Sequence, residues 1–581
     1  MALPFDTVNN ADSHEGGQAT CPLHGLLSEP LRERTEQTSH LMDYLHMVPI
    51  GEVGVPDFYP ELSHKLGDIK QPNLIYPVAE HIFIHIYPDP QDVRDYYIPV
   101  EPTLVGGLGP LLFKMERRVL AYVDELSQAE TEEAKAQVLM TAVEENCRVR
   151  GNGDKNGGNG RRGLFGLRRK PADEDEEQIT VTARQLAALK YLIVRDKIGM
   201  GVIDPMVRDP YIEDITCSGL GPLFIEHKVF KGLKSSVSFD TIEELDEFAL
   251  RLAEKVKKPV TFRSPIVDAA LPDGSRLNIV YGEDVSKRGS NFSIRKFTAV
   301  PLSVLDLVEF GAMDFHMAAY LSLVVGEGMN MFICGETASG KTTLLNAFTT
   351  FIPPDAKIVS IEDTPELQVP HPNWTREVIR DSSTAAAETS TVTMFNLLKA
   401  ALRQRPNAII VGEIRGEEGS VAFQAMQTGH QVMSTFHAST VEKVIQRITG
   451  NPISVPKVYV DNVNVVILCS AVRLPSGKKG RRVTSINEII EYDPSSDSFS
   501  YAEIFRWEPS RDEFEFTGRM NSYMLESRIA PRRGLPTTNK RAIYQELDRR
   551  ATLLEKLQES GRANFYDLYK VLGKAQREGL F

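Results

Sequence analysis

The sequence predicts an α/β fold whose central domain is a parallel sheet carrying a phosphate-binding loop. Between residues 329 and 450, short apolar runs alternate with amphipathic segments of helical period. That is the pattern of buried parallel strands covered by helices on both faces. One strand-to-helix junction reads Gly335-Glu336-Thr337-Ala338-Ser339-Gly340-Lys341-Thr342, the spacing of a P-loop. At 581 residues the chain exceeds what one core holds, and roughly three or four folded units are expected.

Taken in order, residues 1–40 are polar and low in aromatics, so a poorly ordered N-terminus is expected. Residues 41–148 read as an N-terminal partner-binding domain. There HIFIHIY (81–87) alternates as a strand does, and helical spacing runs from about 111 to 147. Residues 149–178 read as a flexible charged linker, rich in Gly and Asn and followed by opposed charge blocks. Inside it RRGLFGLRRK (161–170) sets Leu164, Phe165 and Leu167 among five basic residues. That composition suits contact with anionic lipid, and it also suits a plain solvated linker.

Residues 179–300 read as a smaller α/β domain. TVTARQLAALKYLIVRDKIGMG has helical spacing, and DPYIEDITCSG, PLFIEHKVF and SRLNIVYG read as short strands with turns. Residues 301–500 hold the P-loop domain, with strands expected at MNMFICG, KIVSIED (357–363), NAIIVGE (407–413) and QVMSTFH (431–437). Helices are expected after Lys341, at MFNLLKAALRQ (394–404), at 418–429 and at 440–450. Residues 501–581 complete a strand-rich patch (486–509) and add helices, one of which places Ile543, Leu547, Leu554 and Leu557 on one face.

Composition narrows the function classes. A hydrophobic content of 42% with 25% charged residues is that of a soluble globular chain. A formal net charge of −13 argues against a protein that coats nucleic acid, which needs clustered Lys and Arg. Five scattered cysteines without paired spacing point to a reducing compartment. Cys21-Pro-Leu-His24 has the form of half a metal site, but no second half is visible. The N-terminus lacks the basic start and apolar core of a secretory signal. The longest apolar run, AAYLSLVVG (318–326), meets Glu327 well short of the ~20 residues that span a bilayer. A cytoplasmic protein, peripheral to the membrane at most, is expected.

The residues that carry chemistry cluster around the P-loop. The apolar strand before it and the helix after it aim backbone N–H groups at phosphate. Lys341 is expected to reach the β- and γ-phosphates and the Thr342 hydroxyl to bind Mg²⁺, with Thr343 beside it. Hydrolysis further needs a carboxylate to position or activate water. Two strand ends offer one: IVSIED delivers Glu362 and Asp363 with Glu366 close behind, and AIIVGE delivers Glu413. Each acid alone also reads as a helix cap or dipole partner. His437 ends a further strand, where a histidine either senses γ-phosphate charge or is structural.

GETASGKT, IVSIEDTPEL, LLKAALRQRPNAIIVGEIRG and TGHQVMSTFHAST follow one another between residues 335 and 440. They resemble, in order, the Walker A, aspartate-box, Walker B and histidine-box signatures of the ATPase superfamily of type II and type IV secretion, pili and archaella. DPYIEDITCSG and SPIVDAALPDGSRLNIV look like that superfamily's N-terminal domain. The resemblance is firm over residues 179–500. Residues 41–148 and the C-terminal helices look closest to the archaeal branch, the archaellum and archaeal pilus motors. The four-cysteine zinc module of many bacterial members has no counterpart here, so no structural zinc is expected.

What the resemblance implies is an α/β protein with a RecA-like P-loop core, preceded by a smaller α/β domain and a further N-terminal domain. It implies an ATP- and Mg²⁺-dependent motor, a homohexamer working with a polytopic membrane platform protein; the acidic net charge and the lack of a recognisable nucleic-acid module leave no nucleic-acid partner expected. It makes Glu362 the catalytic glutamate with Glu366 the alternative, Glu413 the acid that orders Mg²⁺ and water, and His437 a γ-phosphate neighbour. Arg276 and Arg295 match N-terminal-domain arginines that reach nucleotide phosphates; by themselves they read as surface charges flanking strands. Two rivals keep the same core: a nucleic-acid translocase and a nucleotide-gated scaffold without turnover.

Overall fold

The computed structural model describes residues 3–5, 22–90, 92–150, 178–297, 300–380, 391–561 and 564–581. Cys21 and the whole of RRGLFGLRRK lie outside the described residues. The chain forms two compact units, Met1–Phe297 and Thr298–Phe581.

The first unit is built on one sheet. Strands β1 (Asp57–Phe58), β2 (Leu74–Ala79), β3 (Ile82–Tyr87) and β4 (Tyr96–Val100) come from the N-terminal segment. After the short parallel pair β5 (Cys147–Val149) and β6 (Ile179–Val181) come β7 (Ile212–Cys217), β8 (Gly221–His227) and β9 (Lys231–Phe239). The unit closes with β10 (Ile266–Ala270), β11 (Arg276–Val280) and β12 (Asn291–Arg295). Ten of these lie side by side in the order β1-β2-β3-β4-β9-β8-β7-β12-β11-β10. The N-terminal strands therefore share a sheet with residues 212–295, joined where Tyr96 and Tyr97 pair with Lys234 and Ser235.

Residues 22–40 differ from the expectation of poor order. The helices Glu29–Gln37 and Ser39–Met47 bury Leu31, Leu41, Tyr44 and Leu45 against Ile75, Phe83 and Ile98 of the sheet. Pro30 stands in the first turn of the first of them, where its missing N–H costs nothing. The helices Leu108–Val119, Glu132–Asn146 and Ala183–Lys197 form a separate cluster around Met115, Val143, Leu189 and Ile193. Thr182 and Gln185 form a capping box on the last of these.

The second unit is the α/β core. Its strands are β13 (Met331–Cys334), β14 (Ile358–Glu362), β15 (Trp374–Val378), β16 (Ala408–Glu413) and β17 (Gln431–Phe436), followed by β18 (Val465–Arg473), β19 (Lys479–Asp493), β20 (Ser498–Glu508) and β21 (Glu513–Glu515). The order is β15-β14-β16-β17-β13-β18-β19-β20-β21. The first six run parallel, and the antiparallel ribbon β19–β21 extends that sheet. Continuous apolar runs with both faces covered are what parallel strands need, and β13, β14 and β17 are buried at every residue.

AAYLSLVVG lies in the helix Phe315–Gly326, whose 12 residues are almost all buried in this core. The helix Ile543–Glu559 packs beside it through Ile543, Leu547 and Leu554. The last helix, Phe565–Arg577, reaches the segment after β14: Tyr566 OH donates to Gln368 Oε1 (2.9 Å), and Tyr569 lies against His371. Among the described residues no helix is long and apolar enough to cross a membrane.

Candidate functional site

The chain leaves β13 at Gly335 and enters the helix Lys341–Thr349 through a loop that two glycines permit. A Cβ on Gly335 would stand 2.3 Å from Cys469 O of β18 and 2.5 Å from Ser339 Oγ, so no side chain fits. Gly340 has φ +96°, left-handed backbone that favours glycine, just before the helix. Ser339 Oγ donates to Glu336 O (2.8 Å) and closes the loop. Lys341 Nζ folds back over it to Gly335 O (3.1 Å) and Glu336 O (2.9 Å). Burial lowers the Lys341 pKa, and Glu413 pulls in the opposite direction. Thr337 and Ala338 are exposed, while Thr342 and Thr343 are half-buried in the helix's first turn. A helix N-terminus so placed attracts anions.

Three strand ends converge beside this loop. Glu362, the last residue of β14, is 2% exposed. Its Oε1 accepts from the N–H groups of Glu366 and Leu367 (both 2.8 Å), and its Oε2 lies 3.4 Å from Arg376 Nε. Burial raises its pKa, against the pull of the two amides and Arg376. Oε1 thus shapes the turn that follows, and Oε2 faces Arg376 on the neighbouring strand β15. Glu366 sits half-buried on that turn, and its carboxylate makes no hydrogen bond among the described residues. Asn346, on the P-loop helix, holds the same turn: its Oδ1 accepts from Gln368 N (2.8 Å) and its Nδ2 donates to Glu366 O (3.4 Å).

Glu413 ends β16. Its Oε2 accepts from Arg415 Nη2 (2.6 Å), and Arg415 Nη1 reaches Asp363 Oδ2 (3.5 Å). Glu418 Oε1 accepts from the backbone N–H groups of Arg415 and Gly416 (both 2.7 Å), which fixes the loop that carries this arginine. Glu413 Oε1 is buried and, among the described residues, makes no hydrogen bond. His437 Nε2, just past β17, lies 3.2 Å from it without hydrogen-bond geometry. Burial lowers the His437 pKa; Glu413 opposes this, and Lys341, Arg415 and Arg447 add to it. A cleft of about 390 Å³ opens here, between Gly335 and Glu336 on one side and His437, Ser439, Lys443 and Arg447 on the other.

A buried carboxylate oxygen without a hydrogen bond calls for a cation or a bound water. With the Thr342 hydroxyl it supplies the sparse oxygen donors Mg²⁺ takes, since that ion keeps several waters and uses few protein ligands. The residues fit the ion.

Arg276 and Arg295 belong to the first unit. They face one another directly across the antiparallel pair β11–β12. Directly opposed residues share a sheet face, and like charges so placed are unfavourable. Two acids offset the pair. Arg276 forms a two-pronged contact with Asp268 (2.6 and 3.2 Å), and Arg295 stands opposite Asp214 of β7. Leu277, Ile279, Phe292 and Ile294 point into the core, so both arginines lie on the solvent side.

The structure therefore brings Gly335 to Thr343, Glu362, Glu366, Glu413 and His437 together in the second unit. Sequence reasoning missed Arg376, Arg415, Asn346 and Arg481, whose Nε donates to Ala338 O (3.0 Å). For Arg415 the available signal was an arginine two residues after a strand-end acid.

The sequence profile of a family described as type II/IV secretion system proteins matches residues 196–489, just over half the chain. An uncharacterised protein of Methanocaldococcus jannaschii is 42% identical over 556 residues, 96% of this chain and 98% of its own length. The type IV secretion system protein PtlH of Bordetella pertussis is 31% identical over 234 residues, 36% of this chain and 68% of its own length. Among solved structures, the ATPase DotB of Legionella pneumophila matches 64% of this chain and 94% of its own at 18% identity, with a TM-score of 0.37. A profile across the P-loop core and a relative aligned over nearly the whole length lead to one result: the chain belongs to the type II/IV secretion system protein family.

Proposed function

We propose that the protein is a Mg²⁺-dependent ATPase whose hydrolysis cycle drives assembly or rotation of a type IV-like filament, an archaellum or pilus, or a related secretion machine. The observation that carries this reading is the buried Glu413 Oε1, which makes no hydrogen bond among the described residues and is set between His437 and the P-loop where four separate stretches of chain converge. In this reading the loop amides and Lys341 hold the β- and γ-phosphates, with Thr342 and Glu413 holding the cation. The cation, when bound, offsets phosphate charge and orders water. His437 stands at the γ-phosphate side.

The choice between the two aspartate-box acids changes with the geometry. Glu362 is the expected base, yet its Oε1 is committed to the turn and its Oε2 faces Arg376 of β15. We assign Glu366 the proton from the attacking water and Glu362 the positioning of Glu366. Arg276 and Arg295 are proposed as an anion-binding pair of the first unit. The machine is proposed to be a homohexamer on a polytopic platform protein at the cytoplasmic membrane face.

Phosphate release by the full chain, with and without Mg²⁺, tests the reading. Activity that needs Mg²⁺ and falls by orders of magnitude in Lys341→Ala supports it. ATP binding without turnover would favour the scaffold, and stimulation by DNA but not by membranes would favour the translocase.

A further inference from the structure

Arg481, near the start of β19, touches the P-loop from outside. Its Nε donates to the carbonyl of Ala338 (3.0 Å), a residue at φ +61°, and its Cδ lies 3.6 Å from where a Cβ on Gly340 would stand. The side chain thus lies along the stretch that leads into the helix Lys341–Thr349. Three neighbouring arginines are neutralised by acids: Arg376 is paired with Glu362, Arg415 with Glu413 and Asp363, and Arg482 with Asp512. Arg447 across the cleft turns to the His437 carbonyl instead. Among the described residues Arg481 is exposed, has no carboxylate partner, and makes no hydrogen bond through either Nη.

The backbone beneath it is fixed. Arg481 pairs with Ala471 of β18, and Arg482 is clamped by Asp512 (2.7 and 2.8 Å) and by Phe310 O (3.1 Å). A rigid strand therefore holds an unpaired guanidinium on the phosphate loop, anchored by Nε with its forked end left over. Planar two-pronged binding of phosphate oxygens is what that fork does well.

The geometry points to Arg481 as a nucleotide ligand that binds the phosphates common to ATP and ADP. This rests on the P-loop reading proposed above. Sheet order supplies the distinction. His437 and Glu413 approach the loop from β17 and β16 on one side of β13, whereas Arg481 approaches from β18–β19 on the other. The β17 side carries the groups assigned to the γ-phosphate, so the opposite side is left for the α- and β-phosphates. Arg481 then acts on affinity, for ADP as much as for ATP.

The test is titration of the full chain with fluorescent ADP and a fluorescent non-hydrolysable ATP analogue, at low and high salt. Wild type, Arg481→Ala, Arg481→Gln and Lys341→Ala are compared. Loss of a charge-assisted bond should weaken both nucleotides roughly tenfold in Arg481→Ala and flatten the salt dependence. Arg481→Gln keeps an N–H for the Ala338 carbonyl but no charge. It should bind as weakly as Arg481→Ala. If Arg481→Gln regains wild-type affinity, the residue only braces the loop and the proposal fails. It fails equally if Arg481→Ala binds both nucleotides within twofold of wild type, or loses only the ATP analogue. Wild-type affinity in Lys341→Ala would instead overturn the nucleotide site itself.

Discussion

Replacing Glu362 and Glu366 one at a time separates a base from the residue that positions it. In Glu362→Ala the N–H groups of Glu366 and Leu367 lose a charged acceptor at 2.8 Å each. Bonds to charged groups contribute ~1.5–3 kcal/mol in net terms, and partial exposure of the turn reduces the sum to roughly 2–4 kcal/mol. Glu362→Gln keeps one oxygen for the two amides but presents an NH₂ to Arg376, a donor facing a donor. That variant should lose only about 1 kcal/mol and stay folded. Turnover should divide the other way. Glu366→Gln removes the base and should cut the ATPase rate by roughly 10²–10⁴ with nucleotide affinity kept. Glu362→Gln should lose less than about tenfold, and Glu362→Ala more, because the turn is no longer held.

The assay is steady-state phosphate release at saturating ATP, with urea unfolding of the same samples. A folded Glu362→Gln that is inactive beside an active Glu366→Gln would return the base to Glu362. Unfolding also carries a pH signature. Burial raises the Glu362 pKa above its usual 4.5, so the native state keeps this proton to higher pH than the unfolded chain. Its contribution is complete below 4.5 and is lost as pH rises through the raised native value. The stability gap between wild type and Glu362→Gln should therefore narrow across that interval.

Other substitutions address the rest of the site. Gly335→Ala places a methyl 2.3 Å from Cys469 O, and overpacking of this kind costs about 1–3 kcal/mol. Nucleotide binding should be lost before the fold, as read by fluorescent-ADP titration against a thermal melt. Burial lowers the His437 pKa from its ordinary value, so any rate change from its protonation should appear on the acid side of the pH–rate profile. His437→Gln should remove that acid-side change from the pH–rate profile. Arg276→Ala and Arg295→Ala should each lower turnover, with a double variant costing less than the sum if both serve one anion. Wild-type rates in all three would leave the pair as surface charges.

The parts of the fold read correctly from sequence are those governed by local pattern. β13, β14, β16 and β17 fall on apolar runs four to six residues long, and the helix Met394–Gln404 has the expected limits. The parts that escaped depend on distant partners. Nothing in residues 96–97 announces pairing with 234–235, so the N-terminal strands read as a separate domain. The helix Glu29–Gln37 was hidden by polar composition averaged over 1–40, although Leu27 and Leu31 stand one turn apart. Within the site, Glu362 and Glu413 were legible because they end apolar strands. Which acid is occupied was not, since the groups that occupy Glu362 are backbone amides and Arg376.

Gln368 has a mechanical consequence beyond the site. Its backbone N–H donates to Asn346 Oδ1 on the P-loop helix (2.8 Å), and its side-chain Oε1 accepts from Tyr566 OH on the last helix (2.9 Å). Both bonds are short and act on one buried residue. A displacement of the P-loop helix along its axis must pull on Gln368, and the C-terminal helix must either follow or give up the Tyr566 bond. Gln368 is thus a rivet between the nucleotide end of the unit and its C-terminal end, and Tyr566→Phe is the substitution that draws it while leaving every phosphate-facing group in place.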